Sequence, residues 1–77
     1  MLLILAGDYS QAVRYARHHN IQPSKWRYVR RSSDLRGYQG AEAVVVGTFH
    51  QRNRNEVRDI LDTITYENMN VQWIEDR

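Results

Sequence analysis

The residues able to do chemistry fall in three short stretches. These are Gly7-Asp-Tyr-Ser10, Arg30-Arg-Ser-Ser-Asp34, and Gly47-Thr48 with His50, Arg52 and Arg54 close behind. Together they supply glycines, hydroxyls and four arginines, a set that suits an anion. A guanidinium binds phosphate oxygens through two parallel bonds, and glycine lets a ligand approach the backbone. A glycine followed by a helix start also presents free N–H groups and a partial positive charge. Tyr9 adds a ring on which a base could stack, as does Phe49. The candidate set for a phosphate-bearing ligand is therefore Gly7, Asp8, Tyr9, Ser10, Arg30, Arg31, Gly47, Thr48, Arg52 and Arg54. The competing reading is plainer: the glycines permit turns, and the arginines are solvated or paired with Asp8, Asp34 and Asp76.

Bond-making chemistry is harder to assemble. Gly7-Asp-Tyr-Ser10 lacks the second glycine and the Lys-Ser/Thr ending of a P-loop, and the three-glycine dinucleotide fingerprint is missing too. His18 and His19 are adjacent, so on a helix they point in different directions, unlike ligands four residues apart. There is no cysteine for a thiolate metal site or a thiol nucleophile. His50, Ser10 and Asp8 can be drawn as a hydrolytic triad, but nothing in their spacing requires one. The expectation is a non-enzymatic protein with no metal and no cofactor.

The elements that must position these loops are legible from punctuation. Leu2–Ala6 is an unbroken apolar run ending at Gly7, and Ala43–Val46 is another ending at Gly47. Such runs fit strands covered on both faces. Residues 26–31 and 71–75 mix apolar and polar residues, as edge strands do. Between them, Tyr9, Ala12, Val13 and Ala16 form one helical face, with Gln11, Arg14, Arg17 and His18 outward. A short helix capped by Ser32 or Ser33 ends near Gly37. A third carries Val57, Ile60, Leu61 and Ile64, with Asn53 and Glu56 spaced as a capping box and Arg58 four residues before Asp62.

This order, β-α-β-α-β-α-β with apolar strands in the middle, predicts one α/β domain over 1–77. Right-handed crossovers make it an open parallel four-stranded sheet of order 2-1-3-4, Rossmann- or flavodoxin-like. Ligands of such sheets bind beyond the carboxyl ends, where the strand order reverses. All three stretches lie on that rim.

Composition narrows the classes further. The chain has 77 residues, 42% hydrophobic, and ten arginines with one lysine against nine acids, for a net charge of only +2. That is too near neutrality to be a general nucleic-acid signature. No apolar run is long enough to span a membrane, and Met1–Ala6 is too short and uncharged for a secretory signal, so a cytoplasmic location is expected. With no disulfide and minimal helical cover, a chain this small is expected to self-associate or engage a host protein. Trp26, Tyr28 and Trp73, on the edge strands, are the candidate partner surface.

Two resemblances accompany this reading. Ser33-Asp-Leu-Arg-Gly37 followed by Ala43-Val-Val-Val-Gly47 resembles the segment before the acidic strand of helicase and terminase ATPases. The magnesium-binding acids are replaced here by Gly47-Thr48, so the resemblance implies a nucleotide-type fold without hydrolytic parts. The whole chain also looks like the small Rossmann-like proteins of unknown function encoded by tailed phages of high-GC bacteria. That resemblance implies a cytoplasmic accessory protein.

Overall fold

In the computed structural model, residues 1–74 are described. Four strands, β1 (Leu2–Leu5), β2 (Trp26–Tyr28), β3 (Glu42–Val45) and β4 (Asn70–Trp73), form one sheet of order β2-β1-β3-β4, parallel throughout. The apolar strands β1 and β3 take the centre and the mixed strands take the edges, as the hydrophobic pattern requires. Glu75, expected at the end of the last strand, and Asp76 lie outside the described residues.

Helix α1 (Tyr9–His18) packs on one face of the sheet and α2 (Arg54–Tyr66) on the other. Ile4, Ala6, Val44 and Val46 point toward α1, where they meet Ala12 and Ala16. Leu3, Leu5, Ala43 and Val45 point the other way, toward Leu35, Phe49, Ile60 and Ile64. The period-two alternation of a strand divides each apolar run between two cores, which is why neither run contains a polar residue. On the α1 face a single ten-residue helix serves four strands. An open cleft of about 370 Å³ therefore remains between Tyr15 and His18 of α1 and the carboxyl ends of the last two strands, at Val46 and Ile74.

Five local expectations are corrected. The crossover from β2 to β3 is a 3-10 turn, Ser32–Leu35, rather than an α-helix. Neither serine caps it: the Asp34 carboxylate reaches back to accept from the N–H groups of Arg30 and Arg31. Asn53 does cap α2, accepting from Asn55 and Glu56 N–H, but Glu56 does not close a box, because its carboxylate pairs with Arg52. Among the described residues Arg58 and Asp62 form no ion pair. On α1, Tyr15 packs against the core, whereas Tyr9 is 57% exposed and Gln11 turns inward.

Candidate functional site

The crevice at the reversal point lies between the carboxyl ends of β1 and β3, as the strand order demands. Its contents come from the protein itself. Asp8 caps α1, its Oδ1 accepting from Gln11 N–H at 2.9 Å. That fixes the first turn of the helix and aims the Gln11 side chain back across the glycines. Gln11 Oε1 accepts from Gly7 N–H at 2.8 Å and from Thr48 N–H at 3.0 Å, while its Nε2 donates to Thr48 Oγ1 at 2.9 Å. The two backbone donors that would face an anion on this rim thus already hold a carbonyl oxygen.

The glycines belong to the same arrangement. A Cβ on Gly7 would strike Thr48 Oγ1 and lie 2.8 Å from Gln11 Oε1. A Cβ on Gly47 would strike Gln11 Oε1 and lie 2.8 Å from its Cδ, and Gly47 also has φ of +61°. Their small size makes room for the Gln11 amide.

Arg52 fills the other half of the rim. It follows the 3-10 turn Phe49–Gln51, and its side chain is only 10% exposed. Nη1 donates to Ala6 O at 3.2 Å and to Val29 O at 3.1 Å, and Nη2 donates to Arg30 O and pairs with Glu56. Its guanidinium carbon is 5.9 Å from the Tyr28 ring centre and 5.7 Å from that of Phe49. The fork thereby ties together the chain leaving β1 and the chain leaving β2, satisfying carbonyls beyond the last strand bonds.

The remaining arginines do not converge with it. Arg30 lines a shallow hollow with Tyr9, Arg27, Tyr28 and Asp34 at the β2 edge. Arg31 is exposed beside it, and Arg54 is exposed at the first turn of α2. Ser10 sits exposed in the first turn of α1. Burial acts to raise the Asp34 pKa, but the N–H groups of Arg31 and Arg30 and the charges of Arg27 and Arg31 outweigh it. The carboxyl is held below the ordinary aspartate value, and Arg27 pairs with it at 3.7 Å.

The drawn triad is not assembled. Asp8 is engaged as a cap on the α1 side, whereas His50 stacks on Trp73, 5.3 Å between ring centres and 10° between planes. His18 and His19 pack against each other, and no group of three metal-ligating side chains occurs among the described residues.

The aromatic candidates divide. Trp26 and Tyr28 are half-buried against the α1-side core and are flanked by Tyr9, at 6.1 and 5.8 Å between ring centres. Trp73, on the opposite edge, is 55% exposed. Gln11 is the crevice residue that sequence reasoning placed wrongly. Helical periodicity sets it outward, but it lies four residues after Gly7 and one turn before Tyr15. A long amide in the first helical turn, flanked by a glycine loop, was the available signal. Compared with protein-family models, curated proteins and solved structures, the chain finds no match in any of the three.

Proposed function

We propose that this chain is a non-enzymatic, phage-type accessory protein that acts in the cytoplasm through protein–protein contacts. One observation carries the reading: the crevice where a parallel sheet ordinarily holds its ligand is filled by Gln11 and closed on its other side by Arg52. An external phosphate would have to displace an internal amide from both N–H donors. A substrate would find no paired acid and base beside it. The surfaces open to recognition are the cleft beside Gln11, Gly47 and Ile74 and the sheet edge bearing Trp73, and aromatic side chains are enriched at interfaces.

The test follows the amide resonances of Gly7 and Thr48 while phosphate or ATP is added to labelled protein. Tagged protein is used in parallel to capture partners. The proposal expects those two resonances to stay in place and a protein to be retained. Saturable shifts at both amides, with no protein retained, would favour the phosphate-binding alternative and overturn it.

A further inference from the structure

The two edges of the sheet are protected unequally. Edge strands expose unpaired N–H and C=O groups, and proteins discourage unwanted pairing there with charged side chains. At the β2 edge, Arg27 lies in the strand and Lys25 just before it. Along Asn70-Val-Gln-Trp-Ile74 there is no charge, the next in the sequence being Glu75.

The outward backbone groups of β4 can be identified. Asn70 N–H donates to Ala41 O and Ile74 N–H to Val45 O, with Val71 opposite Ala43 and Trp73 opposite Val45. Alternation along a parallel ladder leaves the N–H and C=O of Val71 and Trp73 facing away from β3. The side chains of β4 itself are apolar or neutral on both faces, while Glu42 of β3, opposite Asn70, lines the same α1-face hollow as Gln72. On the α2 face, Val71 and Trp73 border a groove with Leu61 and Ile64. On the α1 face lies Gln72, which is exposed.

Resting on the reading above, we propose that the occupant of this edge is a second copy of the same chain. The two β4 strands pair antiparallel about a two-fold axis through Gln72, joining two sheets into one of eight strands. The strand's own pattern selects this partner. Pairing about its midpoint sets Val71 opposite Trp73 of the second copy twice over, so all four outward groups of each strand meet complementary groups. It lays the half-exposed Trp73 ring beside the other copy's Val71, over the Leu61 groove. It also sets Gln72 against its own image, and an amide carries both a donor and an acceptor, so it can bond to an identical side chain. A carboxylate or an ammonium at this position would instead repel its image.

The register makes the test specific. Gln72 and its image form a non-hydrogen-bonded antiparallel pair, with Cα atoms about 4.5 Å apart, inside the roughly 4.4–6.8 Å range of a disulfide. Because the protein has no cysteine of its own, Gln72→Cys gives one reactive position per chain. Ser24→Cys, beside the β2 edge, is the control. The wild-type mass is measured by sedimentation over about 1 µM to 1 mM, a span from firm to weak association.

The expected result is a rise from 9.2 kDa toward twice that mass, with Gln72→Cys oxidising to a covalent dimer while Ser24→Cys associates like wild type but forms no covalent dimer. Gln72→Lys and Gln72→Glu each raise the dissociation midpoint by about tenfold or more, and an equimolar mixture of the two restores association. Both variants change an exposed side chain, and circular dichroism verifies that they fold. A wild-type monomer at every concentration overturns the proposal, even if a different protein is retained; the broader protein-contact reading then stands. A dimer indifferent to Gln72→Lys, with no preference for crosslinking at position 72, also overturns it, since the interface is then elsewhere. Dimerisation together with anion-induced shifts at Gly7 and Thr48 separates the two readings the other way.

Discussion

Replacing Arg52 with alanine leaves three carbonyls, those of Ala6, Val29 and Arg30, without their donor. A hydrogen bond to a charged group contributes about 1.5–3 kcal/mol net. The three bonds share two nitrogens, and carbonyls on the rim partly regain water, so two effective bonds at the low end give about 3 kcal/mol. Loss of the guanidinium between Tyr28 and Phe49 adds about 0.5 kcal/mol. Stability in a domain of this length is about 4–12 kcal/mol, so the loss is a large share of the total. Urea unfolding followed by the fluorescence of Trp26 and Trp73 measures it directly. In thermal unfolding the same loss corresponds to a fall of roughly 14–28 °C. Arg52→Lys keeps the charge but replaces a planar fork by a point donor, and is expected to recover less than half. Glu56→Gln removes only the partly exposed ion pair and should cost less than about 1 kcal/mol. A loss below about 1 kcal/mol for Arg52→Ala would refute the idea that this side chain joins the strand ends. Equal losses for Arg52→Ala and Glu56→Gln would assign its contribution to the ion pair instead.

Gln11 and Gly47 should behave as a coupled pair. Gly47→Ala costs more in the wild-type background than in Gln11→Ala, because truncation removes the atoms a new Cβ would strike; a coupling of about 1 kcal/mol in a double-mutant cycle is expected, and strict additivity would contradict it. Asp34 sets an acid dependence. Its folded pKa is lowered, so its contribution is present above the ordinary aspartate value near 3.9 and is lost as pH falls through the folded value. The stability gap between wild type and Asp34→Asn should therefore be largest near neutrality and close as pH falls through the lowered folded value. A gap that persists in acid would show that Asp34 acts without its charge.

The strand order was legible because it is a matter of water exclusion. Leu2–Leu5 and Ala43–Val46 have no polar residue to show to solvent, so they belong inside, while Arg27 and Gln72 mark edges. The 3-10 crossover was harder to see, since Asp34 satisfies local N–H groups as a helical turn would, without continuing one. The Arg52 half of the crevice was not legible at all. Arg52 is held by backbone carbonyls, and a carbonyl has no sequence signature. Its partners lie 46 and 23 residues away at Ala6 and Val29. Counting charges treats such an arginine as solvated, which is true of most. Periodicity likewise assigns Gln11 a direction from its Cα, but a side chain of that length can fold back over a glycine that offers no obstruction.

The Gln11 amide can also be regarded as a tethered ligand. A carbonyl oxygen borne four residues from one of its donors does not diffuse away, so its effective concentration at Gly7 and Thr48 is set by the helix geometry. A free anion competes against that local concentration rather than against water, and salt composition should leave the site occupied as it is. The same tether implies how readily the chain could change its occupation. Shortening one side chain would return two oriented N–H groups and the space between two glycines to solvent, on a scaffold whose Arg52 brace does not depend on Gln11. The fold thus holds a vacant-site architecture in a self-occupied state, one truncation away from accepting something else.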